Sequence, residues 1–159
     1  MLRLSAVPCT ALTLALTLPF TSTALRAADV DFKSLDPKAI SIRLPADIQW
    51  KDSATGAETA TLAGDESKPG LYVMLVKWKA HHNSRPHFHP NDRFITVLSG
   101  TWWVNTGRKY DPEGMKPVPA GSFVTHYKNE VHYDGAKDAD VILEIVGMGP
   151  ATAVPAETR

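Results

Sequence analysis

The 159-residue sequence predicts an all-β fold, closed as an antiparallel sandwich or barrel of the jelly-roll kind, on three observations. Segments 58–63, 71–79, 93–99, 101–105, 122–127 and 141–147 are short and rich in Val, Ile, Thr, Tyr, Phe and Trp, side chains that suit a pleated, half-buried surface. Gly, Pro, Asn or Asp separates one segment from the next, the residues that turns use. None of the segments carries the 3.6-residue period of an amphipathic helix. Several strands at close, even spacing are the pattern of a closed β architecture.

Taken in order, residues 1–28 have the three parts of a secretory signal peptide. Arg3 stands beside the amino terminus, residues 11–18 form an apolar core, and small residues lead to Ala24, Ala27 or Ala28, each of which fits the cleavage position. The apolar run is broken by threonines, Pro8 and Pro19 and is shorter than the roughly 20 residues of a membrane span. The mature chain is therefore expected in the periplasm or secreted, with no membrane attachment after cleavage. Residues 29–57 read as an N-terminal arm with one strand around 40–44, residues 58–149 as the barrel, and the Pro-containing 150–159 as a loose tail. Ser99-Gly100 reads as a tight hairpin between two strong strands, Gly taking the positive φ that such turns demand. Residues 107–117 form a longer connection, and no internal repeat is visible.

Removing residues 1–28 takes away Arg3, Arg26 and no acid, so 15 of the 17 basic residues remain against 17 acidic ones, a net charge of −2. With no Lys/Arg cluster, the chain lacks the electrostatic footprint of a nucleic-acid or anionic-membrane binder. The 131 residues left of 159 suit one compact domain. Cys9, the only cysteine, lies in the leader. The mature chain thus has no disulfide, thiolate ligand or cysteine nucleophile.

The chemistry centres on histidine. His87 and His89 are two apart, and on a strand residues i and i+2 point to one face. On a helix the same spacing would splay them by about 200 degrees. Neutral imidazole is the commonest protein ligand for first-row metals. By itself such a pair reads equally well as two surface histidines.

The surrounding residues extend the pattern. The stretch Pro86-His87-Phe88-His89-Pro90-Asn91-Asp92-Arg93-Phe94-Ile95-Thr96-Val97-Leu98-Ser99-Gly100 resembles the first motif of the cupin family, G-x5-H-x-H-x3-E-x6-G. His81 stands where that motif begins with Gly, and Arg93 replaces its metal-binding Glu. Arginine keeps its proton and has no lone pair to offer, so Arg93 is not a ligand. The stretch from Gly121 to His132 resembles the second motif, G-x5-P-x-G-x2-H-x3-N, with Tyr127 for Pro, Asn129 for Gly and Ala136 for the last Asn. Asn is the commonest non-Gly residue in the left-handed conformation, and His132 falls on the ligand position.

The resemblance, which spans residues 71–149 and points to small secreted bacterial cupins, implies a single-domain cupin jelly-roll barrel. Its two motifs would form adjacent hairpins facing the interior. It further implies one divalent metal ion, Fe, Zn, Mn, Cu or Ni, held by His87, His89 and His132, with open coordination positions. Without the Glu such a centre keeps its full charge, and Arg93 adds to it, so an anionic, oxygen-rich small molecule is the expected partner. The three-histidine Fe(II) dioxygenases share this ligand count.

Arg93, His126 and Tyr133 are the catalytic candidates. Arg93 is either an anchor for a substrate carboxylate or the partner of Asp92, Glu130 or Asp134 in a salt bridge. His126 is either a fourth ligand or a polar pocket residue. Tyr127 and Glu130 are further proton-transfer groups, and Asp134 either orients His132, pairs with Arg93 or caps a turn. His81 and His82 read as solvated or as supports of the ligands. Of Trp102 and Trp103, one ring faces inward and one outward, and the outer ring with Phe94 or Leu98 suits a homodimer contact. Two functions stay open: a small metalloenzyme of dioxygenase, isomerase or lyase type, and a non-catalytic metal- or ligand-binding protein.

Overall fold

The computed structural model describes residues 31–53 and 55–158; the expected signal peptide lies outside them. The chain divides into two compact units, Met1–Leu44 and Pro45–Arg159. In the first, residues 31–44 form turns, closed for example by Leu35 N–H to Phe32 O (3.1 Å) and Ala39 N–H to Asp36 O (3.0 Å). The strand expected at 40–44 does not form. Ile40 and Ile42 stay exposed and join no ladder, so the segment has neither the cross-strand neighbours nor the burial that stabilise a strand.

The second unit opens with a 3-10 turn at Pro45–Asp47 and continues as β-strands: β1 Lys51–Asp52, β2 Ala57–Ala63, β3 Gly70–Trp78, β4 His87–Phe88, β5 Arg93–Ser99, β6 Thr101–Thr106, β7 Lys116–Pro119, β8 Phe123–His126, β9 His132–Gly135, β10 Val141–Gly149 and β11 Val154–Pro155. They build a six-stranded sheet, order β1-β2-β3-β10-β5-β8, and a five-stranded sheet, order β11-β4-β9-β6-β7, with antiparallel pairing throughout. The predicted all-β, two-sheet jelly roll is the observed fold.

Strand parity builds the core. Ile95 and Val97 on β5, Leu143 and Ile145 on β10, and Met74, Val76 and Trp78 on β3 are buried on one face, while Phe94 and Leu98 alternate outward. The register ranks the inner residues in rows: Arg93 with His126 and Gly147, then Ile95 with Val124, Ile145 and, through β10, Met74, then Val97 with Leu143 and Val76. Gly147 lets the Tyr72 ring approach, since a Cβ there would lie 2.6 Å from the tyrosine oxygen. Trp102 is buried, whereas Trp103 is half-buried with Lys137 Nζ over its ring at 4.4 Å.

Two sequence expectations are corrected. The strands flanking Ser99-Gly100 are not a hairpin pair, because β5 and β6 belong to different sheets. Gly100, at φ 77°, is the corner where the chain crosses between them; the glycine signal was right about the backbone angle and silent about which strands it joins. The segment 150–159 is not a loose tail over its described part. β11 pairs with β4, Ala156 is buried and donates its N–H to Pro86 O at 2.8 Å, and Glu157 holds Arg85 through two bonds of 3.0 and 2.7 Å. Short apolar pieces such as Val154 and Ala156 carry too little pattern to be read as a strand, yet they complete a ladder that would otherwise stop at β4.

Candidate metal centre

β4 and β9 bring the three expected ligands together. His87 lies opposite His132 in the ladder, and His89, two residues beyond His87, points to the same side. The imidazole centroids are 4.9 Å (His87–His89), 4.7 Å (His87–His132) and 5.3 Å (His89–His132) apart. One ligand-type nitrogen from each residue lies within 4.8 Å of the others.

The backbone sets the tautomers. Each ring places Nδ1 against a carbonyl: His87 on Arg85 O at 2.8 Å, His89 on Thr152 O at 2.9 Å and His132 on Glu130 O at 3.0 Å. A carbonyl only accepts, so each Nδ1 carries the hydrogen and each neutral ring keeps its lone pair on Nε2. His87 Nε2 and His89 Nε2 face each other at 3.2 Å, and His132 Nε2 is buried without a partner. Two lone pairs at that distance repel unless a cation lies between them. Metal–nitrogen bonds of about 2.0–2.1 Å opened at about 90 to 109 degrees put ligand nitrogens about 3.0–3.4 Å apart. The three residues therefore fit a first-row metal ion in tautomer, and His87 and His89 fit it in nitrogen spacing as well.

Burial keeps the His89 and His132 rings neutral. His89 is pushed down to about 3, first by loss of hydration and then by the charge of Arg93. His132 is also lowered, first by burial, with the nearby Asp134 carboxylate opposing the shift. Neutral imidazole is the form that binds metal.

Arg93 stands at the inner end of β5, opposite His126. Its Nη1 donates to His89 Nε2 at 2.7 Å, and its Nε is buried without a partner. Among the described residues it makes no ion pair, so the expected alternative of a salt bridge to Asp92, Glu130 or Asp134 is not what the side chain does. Asp92 is instead occupied with the Lys128 N–H (2.7 Å). Arg93 also engages the lone pair of His89 that a metal would need, and loading the site requires that hydrogen bond to open.

His126 lies in the same chamber, its ring centroid 3.7 Å from that of His132 and 5.3 Å from that of Trp102. Its Nδ1 is buried and unpartnered, and burial holds the ring far below the usual imidazole range. With His132 and Asp134 it forms a second group whose ligand atoms lie within 4.8 Å. Asp134 is buried and lines the cavity beside His132.

Tyr133 does not belong to the site. Neighbouring residues on a strand face opposite ways, and since His132 and Asp134 face inward, Tyr133 faces the other side of β9. Its hydroxyl accepts from Asp111 N–H at 2.9 Å and lies 3.2 Å from Asp111 O, and its side chain is fully buried. Tyr127 is exposed, and Glu130 contributes its carbonyl rather than its carboxylate. His82 is exposed, with Nδ1 2.9 Å from Ala80 O.

Two substituted motif positions keep the backbone of the glycines they replace. His81 at φ 65° and Asn129 at φ 64° are the positive-φ residues other than glycine among those described. Asn129 N–H reaches His89 O at 2.7 Å and His81 N–H reaches Lys137 O at 2.7 Å, so both bends hold loops next to the histidines. Thr152 is the functional position that sequence reading missed: a carbonyl leaves no mark in the residue type, and it lies 63 residues from the histidine it orients.

These residues open on a cavity of about 530 Å³ whose wall includes His87, His89, Arg93, His126 and Asp134. Ile95, Trp102 and Ile145 line it beyond them.

Solved structures share this architecture. The polyketide cyclase RemF from Streptomyces resistomycificus superposes with a TM-score of 0.63 at 13% identity over 76% of this chain and 87% of its own. KdgF from Halomonas sp. gives 0.55 at 20% identity over 68% and 94%. The DMSP lyase DddQ from Ruegeria pomeroyi DSS-3 gives 0.55 at 18% identity over 72% and 64%. At these identities the likeness establishes the fold. No individually curated protein matches the sequence. The model of the ChrR cupin-like domain matches residues 39–152, most of the described chain, and the protein is a member of that cupin family.

Proposed function

We propose that the protein is an exported metalloenzyme that binds one divalent metal ion through His87, His89 and His132 and transforms an anionic small molecule by dioxygenase-, isomerase- or lyase-type chemistry. The observation that carries this reading is the set of three Nδ1–H groups tied to backbone carbonyls, which leaves the three Nε2 atoms for a metal in one cluster beside an arginine that has no carboxylate partner. A metal held there would act as a Lewis acid toward chelating oxygens of the ligand. Arg93 would take a ligand oxygen through a charge-assisted hydrogen bond. His126, neutral and with Nδ1 buried and unpartnered, would hydrogen-bond the ligand beside Arg93. The apolar wall keeps water from the reacting end. Similarity in fold to proteins named as a polyketide cyclase and a DMSP lyase agrees with an enzyme, though a fold hosts many chemistries.

The proposal includes export to the periplasm, on the signal-peptide pattern of residues 1–28. It also includes a homodimer formed through the outer face of the six-stranded sheet. There Leu71, Met148, Phe94 and Phe123 are exposed, and the two phenylalanine rings stack at 6.3 Å, an apolar face that a two-fold partner would cover with the same residues.

Metal analysis of protein purified from its native compartment tests the centre. About one equivalent of a first-row metal is expected, lost in His132→Ala and retained in His82→Ala. Equal retention in the two variants would remove His132 from the ligand set. Turnover that follows metal content separates the enzyme from a metal-binding protein without activity.

A further inference from the structure

The cavity has two unlike ends, and the polar groups along it are unequally committed. Away from the histidines, Ser53 and Thr55 bond each other at 2.8 Å, Ser84 Oγ serves the Asp134 backbone at 2.9 and 3.2 Å, Glu66 accepts from Thr61 at 2.8 Å, and Arg85 is forked onto Glu157. Met74, Val76, Trp78, Leu143 and Ile145 make up the wall between them. At the other end, Arg93 Nε, Trp102 Nε1, His126 Nδ1 and His132 Nε2 are all buried and unpartnered. The polar groups along the body of the cavity thus already have protein partners, while these four atoms at the histidine end have none.

Of these, Arg93 Nε–H and Trp102 Nε1–H are buried donors without acceptors, which are costly and favour a ligand that satisfies them. Apolar wall is satisfied by apolar surface at roughly 25 cal/mol per Å². A volume of about 530 Å³ falls within the roughly 300–1,000 Å³ of ordinary small-molecule sites. We infer that the ligand is an amphipathic monoanion: one carboxylate or enolate end carrying all its oxygens, held by Arg93, and an aryl or branched alkyl body lying against Met74, Trp78, Leu143 and Ile145. A polyhydroxylated acid would leave hydroxyls against the apolar wall of Met74, Val76, Trp78, Leu143 and Ile145. The inference rests on the proposed function of this site and narrows its substrate class.

Calorimetric titration with 3-phenylpropanoate, its neutral amide and gluconate, on metal-free and metal-loaded protein, tests it. In both forms 3-phenylpropanoate should bind at least about ten-fold tighter than gluconate and about ten-fold tighter than the amide. Arg93→Gln should abolish the preference for acid over amide while leaving amide binding within about two-fold. Gluconate binding as tightly as 3-phenylpropanoate, equal binding of acid and amide by the unmodified protein, or no detectable binding of 3-phenylpropanoate at millimolar concentration would each overturn the inference. Absence of metal uptake would sink the metal centre instead, and the titrations of the metal-free form would still decide the ligand class.

Discussion

The two ends of the cavity share one set of strands and do opposite work. β5 carries Arg93 and, two and four residues on, Ile95 and Val97 on the same inner face; β9 and β4 carry the histidines, while β3 and β10 carry the apolar rows. At the apolar end Ile95, Val97, Leu143 and Ile145 gain by leaving water. At the histidine end four buried polar atoms have no partner, a cost that only the rest of the barrel offsets. Stability and chemistry therefore meet on β5, two residues apart, while the other strands divide them.

The largest effect that separates the ends is on stability. Leu143→Ala should lower unfolding free energy by about 2–5 kcal/mol in urea denaturation while leaving metal affinity unchanged. His87→Ala should cost less than about 1 kcal/mol, since its ring is only half-buried and its Nε2 faces the His89 nitrogen across 3.2 Å rather than a donor. Similar losses from both substitutions would break the comparison. On metal affinity the order reverses: His87→Ala should weaken binding by about 100-fold or more, beyond the 10–100-fold typical of losing a group that merely orients a ligand.

Arg93→Gln should raise metal affinity about ten-fold in the absence of ligand, because it removes both a positive charge and the competitor for the His89 lone pair. A competition titration with a chelator reads this directly, and unchanged affinity would mean that Arg93 leaves His89 freely.

The histidine end should also make the metal-free protein acid-sensitive. His89, His126 and His132 are held below the ordinary imidazole value in the fold, whereas the unfolded chain protonates near 6.5. Between about pH 6.5 and about 3, the lowered value of His89, the unfolded state binds protons that the folded state refuses. Stability is therefore greatest above pH 6.5 and falls as pH drops through that window. A melting temperature that stays flat from pH 7 to 4 in the metal-free protein would contradict this. The smallest effect belongs to the ion pair on the C-terminal segment: Glu157→Ala should cost no more than about 1 kcal/mol, because the pair is partly solvated.

Much of the site was legible because its determinants are local. The i, i+2 spacing of His87 and His89 works through strand parity alone, and the position of His132 followed from the second motif despite its substitutions. His81 and Asn129 show why that motif could be read: the backbone bend persisted after the glycines were gone. The same parity argument, carried one residue further, would have turned Tyr133 away from the site, since it follows His132 on β9. β9 and β11 were not read as strands because so few residues, with Asp134, Gly135 and Pro155 among them, carry little of the β-rich pattern.

By itself, then, the amino-acid sequence determined the β class, that one of Trp102 and Trp103 faces inward, and which three histidines the fold gathers. Each of these depends on side-chain type and near-neighbour spacing. Only the tertiary structure decided that Ser99-Gly100 crosses between sheets, that Thr152 O orients His89, and that Arg93 turns to His89 instead of an acid. Those outcomes depend on which distant backbone atoms and charges the closed barrel brings within hydrogen-bonding reach, and spacing along the chain carries no record of that.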